Sequence, residues 1–290
     1  MAKREHVTEA AEALNVAQSA VSRQIFNLEA ELGVKLFIRK GRNIKLTTIG
    51  KEFLKHMEQA MNTIDRAVQI VNEFTDPEQG TIQIGFPSSL ATYMLPKVIS
   101  AFRKQYPHVK FLLHQSSYYG LSEAVADGEV NIALLGPVPK DTSDWIGTIL
   151  FTENIVALLP NHHRLAKRPY LTLHELKDEA FVLFPEGYIL RDMIVRDCQR
   201  VGFTPKVSFE GEDIDSIKGL VSAGLGISLI PEITLVDNVP RTTSMIPIRE
   251  PSMTRTVGMI IPRDRSLLPA EQLFYEFLKD YFKRLEKFQY

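Results

Sequence analysis

From Thr48 to Phe74 the chain has no proline, and its one glycine there, Gly50, falls in the first turn. Across this stretch Phe53, Met57, Ala60, Ile64, Ala67, Val71 and Phe74 recur at alternating intervals of four and three residues. A repeat averaging 3.5 residues keeps apolar side chains on one narrow seam of an α-helix, and a second long helix is what buries such a seam. At about 1.5 Å per residue the helix would be roughly 40 Å long. A helix packed on its own domain would show a wider stripe that drifts around the axis. The strict repeat predicts pairing through residues 48–75, with a short head (1–47) before it and a large body (81–290) behind.

The head is basic. Residues 1–55 hold ten Lys/Arg and six Glu, a balance of +4, which leaves −5 for residues 56–290 out of a formal total of −1. Between Lys35 and Lys55 seven basic residues face a single acid, Glu52. This asymmetry points to a polyanion partner for the head alone, a solvated charged face being the alternative.

Within the head, Thr8–Leu14 reads as a short helix capped by Thr8, with Ala10, Ala11 and Leu14 on its apolar side. After Asn15-Val16-Ala17 a second helix runs from Gln18 to Leu32 and ends at Gly33. Val21, Ile25, Leu28 and Leu32 share one face, while Gln18, Ser19, Ser22 and Arg23 front the other. A greasy back and a polar front are what a recognition helix needs in the major groove of DNA. Leu36–Arg39 and Ile44–Leu46 then read as a hairpin whose tip carries Arg42, placed to touch phosphates or the minor groove. Helix pairs of this kind also occur in bundles that never meet nucleic acid.

Thr75–Gly80 is a polar hinge rich in helix breakers. Beyond it, strand-like runs (81–86, 109–114, 132–135, 155–159, 181–184, 207–210, 226–230 and 256–261) alternate with helical ones (89–106, 120–127, 188–201, 215–223 and 270–288). Such alternation argues for parallel sheets with helices on both faces. The turn-rich Pro160–Pro169 stretch suggests a crossing between two lobes, and ligands in such folds sit beyond strand ends. Ser88 and Ser89 follow the strand ending at Phe86, so they are candidate ligand contacts, ordinary N-capping being the alternative. Gln115, Gly136 and Glu186 hold comparable strand-end positions, and Arg191 could pair a carboxylate from the next helix.

The run Leu14-Asn15-Val16-Ala17-Gln18-Ser19-Ala20-Val21-Ser22-Arg23-Gln24-Ile25, with Leu28-Glu29, Leu32-Gly33, Leu36-Phe37, Arg39, Arg42, Leu46-Thr47 and Gly50, resembles the signature of LysR-type transcriptional regulators. The resemblance extends over the whole chain. It implies an N-terminal winged helix-turn-helix, a long linker helix, and a two-lobed periplasmic-binding-protein-like sensor. Lobe I is then expected over 81–161 and 263–290, and lobe II over 162–262. It further implies DNA contacts at Gln18, Ser19, Ser22, Arg23 and Arg42, and an effector site that includes the Ser88-Ser89 loop. Promoter DNA, a small effector, RNA polymerase and further copies of the chain, as dimer or tetramer, are the partners it implies. Arg4-Glu5-His6-Val7, residues 41–47, Leu135-Gly136-Pro137-Val138-Pro139 and Phe184-Pro185-Glu186-Gly187 are similar to members that control glutamate-synthesis genes. That closer likeness implies 2-oxoglutarate as effector, with glutamate acting oppositely. The chain departs from the family by beginning inside the first helix of the DNA domain, which is expected to weaken DNA binding or to reflect a start codon placed too late.

Other chemistries find little purchase. The 44% hydrophobic content suits a soluble protein with a real core, and no apolar run approaches the roughly 18 residues that span a bilayer. Cys198 is the lone cysteine, so neither an intrachain disulfide nor a thiolate cage is available, and the chain reads as cytosolic. His162 and His163 are adjacent, which points their rings apart. Glu210-Gly211-Glu212-Asp213 lacks calcium-loop spacing, and Gly224-Leu225-Gly226 precedes a strand where a dinucleotide loop would follow one. No catalytic constellation is visible. Two rivals to a regulator remain: a two-lobed enzyme with an incidental basic head, and a metabolite-binding protein that no longer binds DNA.

Overall fold

The computed structural model describes residues 6–40, 43–75 and 80–286. Its backbone contacts divide the chain into two units, residues 1–67 and 68–290.

In the first unit, α1 (Val7–Ala13) packs on α2 (Gln18–Leu32) across a turn in which Asn15 takes φ 51°. His6, not Thr8, holds the N-cap of α1, so Thr8 lies inside the helix. Ala10 and Ala11 are buried as expected, but Leu14 is exposed. Gly33 closes α2 with φ 69°, a left-handed conformation that favours glycine. Strands β1 (Phe37–Lys40) and β2 (Asn43–Leu46) pair antiparallel from Phe37↔Leu46 to Lys40↔Asn43. The tip between them, Arg42 included, lies outside the described residues.

Two groups of bonds hold this hairpin to the helices. The buried Glu29 carboxylate accepts from Leu36 N at 2.9 Å, Phe37 N at 3.0 Å and Lys35 Nζ at 2.8 Å, fastening α2 to the start of β1. Thr47 Oγ1 donates to Lys35 O at 2.8 Å and accepts from Gly50 N at 2.9 Å, joining the wing to the first turn of α3 (Thr48–Thr75). A Cβ on Gly50 would lie 2.1 Å from Leu36 O, so the junction closes only on a glycine.

α3 is the unbroken 28-residue helix that the heptad seam predicts. On it Phe53 is half-buried, whereas Met57, Ala60, Ile64, Ala67 and Val71 are exposed; the Phe74 side chain lies outside the described set. Met61 and Val68 are exposed as well, so the apolar face is broader than the seam alone. The expected hinge falls mostly on 76–79, outside the described residues.

The second unit holds two α/β lobes. In lobe I the sheet order is β4–β3–β5–β11–β6. β3 (Thr81–Phe86) runs parallel to β4 (Lys110–Gln115) and to β5 (Ile132–Leu135), while β11 (Thr254–Pro262) is antiparallel to β5 and to β6 (Trp145–Pro160). Helices α4 (Ser88–Ala91), α5 (Met94–Arg103), α6 (Tyr118–Ala126) and α9 (Pro269–Glu286) belong to this lobe. Phe102, Phe274, Ile82 and Ile84 lie in the core on one face, and Leu121, Val125 and Leu135 on the other.

In lobe II the far half of β6 pairs antiparallel with β9 (Ser228–Pro231) and β10 (Thr243–Pro247). β7 (Ala180–Leu183) runs parallel to β8 (Lys206–Glu210), with α7 (Ile189–Arg200) and α8 (Ile214–Ser222) alongside. The all-parallel expectation therefore gives way to mixed sheets. Alternation in sequence shows that strands and helices interleave, but because the chain passes twice between lobes, β11 runs against its neighbours in lobe I and β6 against its neighbours in lobe II.

Those passages also move the lobe boundaries. Asn154 still pairs with Thr254, whereas Ile155 already pairs with Pro231. The crossings thus lie at 154/155, inside β6, and at 253/254, where β11 begins, rather than at 161/162 and 262/263. β6 is 16 residues long where only 155–159 reads as a strand, and the expected helix 89–106 is two helices broken at Thr92-Tyr93. A β-bulge at Val257/Gly258 lets β11 follow β6; a Cβ on Gly258 would lie 2.0 Å from Thr148 O.

Candidate functional site

Two regions carry candidate functional residues, one in each unit. On α2, Gln18, Ser19, Ser22 and Arg23 are all exposed, and positions i, i+1, i+4 and i+5 place them on one side of the helix start. Val21, Ile25 and Leu28 on the other side are half-buried, while Leu32 is exposed. Hydroxyl, amide and guanidinium groups thus stand together on an exposed surface, and these are the chemical groups with which proteins hydrogen-bond base edges and phosphates. Burial raises the Glu29 carboxyl, but its hydrogen bonds from Lys35, Phe37 and Leu36 outweigh that and hold it below its ordinary value.

The second region is a cleft between the lobes, with a volume of about 220 Å³. That is below the roughly 300–1,000 Å³ of drug-sized sites and suits a metabolite of few carbons. Lobe I contributes Ser88, Ser89, Gln115 and Gly136, so four predicted contacts from three separate strand ends meet on one wall. Lobe II contributes Phe184 and Tyr188, whose rings stack 5.2 Å apart, together with Ile189, Leu190 and Gly187. Ser117 caps α6 by accepting from Gly120 N at 3.1 Å, and the Tyr118 hydroxyl is pushed up to about 12 by burial and by Tyr119.

Two predicted contacts do not join them. Arg191 turns away from the cleft, donating to Phe184 O at 2.9 Å and pairing with Glu210 at 2.5 Å and Glu186 at 3.5 Å. Glu186 is exposed and does not line the cleft either. A helical arginine near two carboxylates settles on them, which spacing along the chain does not reveal.

Sequence reasoning missed the group that most changes the site's chemistry. Arg255, on β11 next to the crossing, lines the cleft with a fully buried side chain. Its Nε and Nη2 both lie 2.7 Å from Glu153 Oε1 on the neighbouring strand, its register partner. Nη1 donates to Gly136 O at 3.1 Å, and Nη1 and Nη2 each donate to Ser89 Oγ at 3.2 Å. Glu153 accepts in addition from Ile233 N of lobe II at 3.2 Å. Burial drives the Glu153 carboxyl up and the Arg255 guanidinium down, while each partner's charge pulls back. The paired short contacts keep both ionised, since a guanidinium does not surrender its proton in a protein. Both residues fall just before the runs 155–159 and 256–261 that read as strands, so local pattern offered no signal for the pair.

The features elsewhere are structural. His163 bonds Glu179 at 3.0 Å and its Nδ1 accepts from Leu165 N at 3.2 Å, while Asp213 caps α8 by accepting from Ser216 N at 2.8 Å. Cys198 is buried in the lobe II core.

Comparison with known proteins bears on both regions. Residues 1–51 match the profile of the bacterial regulatory helix-turn-helix protein, lysR family, and residues 75–283 that of the LysR substrate binding domain. The transcriptional dual regulator GltC of Bacillus subtilis (strain 168) is 56% identical over 289 residues, spanning 100% of this chain and 96% of that protein. Among solved structures, full-length CbnR complexed with its target DNA superposes with a TM-score of 0.79 at 20% identity, covering 96% of this chain and 95% of that one. The effector binding domain of QuiR in complex with shikimate superposes with a TM-score of 0.65 at 22% identity, covering 71% of this chain and 98% of that domain.

Proposed function

We propose, because this chain belongs to the LysR family of DNA-binding transcription regulators, that it controls glutamate-synthesis genes in response to a small dicarboxylate held in the cleft. The family assignment rests on both matched domains and on the likeness to GltC. The observation that carries DNA reading is the exposed polar start of α2, with Gln18, Ser19, Ser22 and Arg23 side by side. The uncovered face of α3, where Met57, Ile64 and Val71 are exposed, supports a homodimer or a dimer of dimers. Two recognition helices would then read half-sites about one helical turn, roughly 34 Å, or a multiple of it, apart. The likeness to GltC supports 2-oxoglutarate as effector with glutamate opposing it, and the hydroxyl-rich wall of the cleft suits carboxylate oxygens. RNA polymerase is the further partner in this reading. An effector acts by binding one lobe arrangement better than the other.

Gel shifts on the promoter of a glutamate-synthesis operon test the DNA reading. Affinity should fall steeply as salt rises, as counterion release requires, and Arg23→Ala should abolish the specific shift while the dimer persists in light scattering. Unchanged binding by Arg23→Ala would remove α2 as the reading element. For the effector, calorimetry on the full chain should show heat with 2-oxoglutarate or glutamate at millimolar concentration; silence with both would discard that part.

A further inference from the structure

We propose that Arg255 is a positioning residue that fixes Ser89 as a hydrogen-bond donor into the cleft, so that the site selects ligands presenting a carboxylate oxygen there. This rests on the reading of the cleft as the effector site and adds which groups set its selectivity.

A serine hydroxyl has one hydrogen to give and two lone pairs to fill. Both N–H groups that Arg255 aims at Ser89 Oγ come from one cation, at 3.2 Å each, so they occupy its acceptor capacity. Among the described residues no acceptor takes the Ser89 hydrogen, although the residue is only 6% exposed and lines the cleft. That hydrogen is therefore left for whatever occupies the cleft. Donation by a hydroxyl that itself accepts from a guanidinium is polarised in the direction a carboxylate rewards.

The guanidinium cannot turn away to serve a ligand directly. Nε and Nη2 are held by Glu153, and Nη1 also by Gly136 O. A Cβ on Gly136 would stand 3.1–3.2 Å from guanidinium atoms, so a glycine at 136 lets Arg255 come this close to the wall. The charge of Arg255 thus reaches the ligand through Ser89. Among the described residues, Arg255 and Glu212 are the only formally charged ones on the cleft lining, and the exposed Glu212 carries the wrong sign for an anion. A ligand with an ammonium or hydroxyl hydrogen at this point would meet a donor with no lone pair to offer.

The test is calorimetry on the full-length protein with 2-oxoglutarate and L-glutamate as probes, for the parent, Ser89→Ala, Arg255→Lys, the double variant and Ser116→Trp. Ser116→Trp fills the cleft away from Arg255, and melting of the ligand-free proteins checks that each is folded. Loss of one charge-assisted bond should weaken binding about tenfold or more in Ser89→Ala and in Arg255→Lys. The double variant should be no weaker than Ser89→Ala, because Arg255 acts only through that hydroxyl; a merely structural arginine would give additive losses. Should Arg255→Lys not fold, Ser89→Cys, with a weak donor of similar shape, should lose a similar factor. Binding abolished by Ser116→Trp but within twofold of the parent in Ser89→Ala overturns the inference and leaves the cleft as the effector site. Binding untouched by Ser116→Trp, or no binding of either probe, overturns both.

Discussion

Replacing Glu153 by Gln tests the central packing feature of the sensor. The substitution keeps the shape of the side chain but turns one oxygen, from a group that now faces Arg255 Nε, Arg255 Nη2 and Ile233 N, into an amide that donates. One arm can still accept; the other meets a donor. The larger cost is the guanidinium, whose side chain has no exposure and which loses the counter-charge that Glu153 supplies. Breaking a buried ion pair from one side costs about 3–5 kcal/mol. For a unit of some 200 residues, each kcal/mol lowers Tm by about 2–4 °C, so the sensor transition should fall by about 6–20 °C. Scanning calorimetry on the full chain follows that transition. Glu153→Met combined with Arg255→Met should recover more than half of the loss, because removing both charges is close to neutral where removing one is not. A fall of less than about 2 °C for Glu153→Gln would refute the reasoning, showing that cleft water solvates the guanidinium.

Other outcomes follow from features of single residues. Glu29 has its carboxyl held below the ordinary value of 4.5 in the folded chain, so its contribution is fully present above that value and is lost as pH falls through the lowered one. Acid unfolding of the N-terminal unit, followed by helical circular dichroism, should be less pH-dependent in Glu29→Gln. The Cys198 thiol is pushed up to about 12 by burial and by Asp197, so a disulfide reagent at pH 8 should label it only after denaturant is added. Gly50→Ala should destabilise the head despite the better helix propensity of alanine, because 2.1 Å to Leu36 O is a backbone clash; an unchanged or raised melting temperature would contradict it.

Much of this architecture was legible because it depends on periodicity and breakers. α3 spans the residues its heptads mark, and α2 starts at Gln18 and stops at Gly33 as written. The order of strands and helices in the body could be read to within a few residues for most elements, since each is bounded by a polar or glycine-containing turn. Strand direction could not, because it is decided by which distant strand lies alongside. The long β6 is the clearest case: Trp145–Asn154 alternates too weakly to read as a strand, and pairing with β11 supplies what the pattern lacks. The same holds at the cleft. Ser88, Ser89, Gln115 and Gly136 follow strands of lobe I that lie side by side, so local pattern finds them. Arg255 reaches the same wall from 119 residues beyond Gly136, through a sheet register that no local window contains.

One of the two passages between the lobes is an unbroken strand, β6, and that sets the character of any signal the cleft can send. A loop hinge lets two bodies swing apart through wide angles at little cost. A continuous strand such as β6, which pairs with β11 as far as Asn154 and with β9 from Ile155 onward, resists bending and gives way most readily to torsion. An effector held in the cleft should therefore register mainly as wringing about the axis of β6, with the sheets on either side turning as stiff plates.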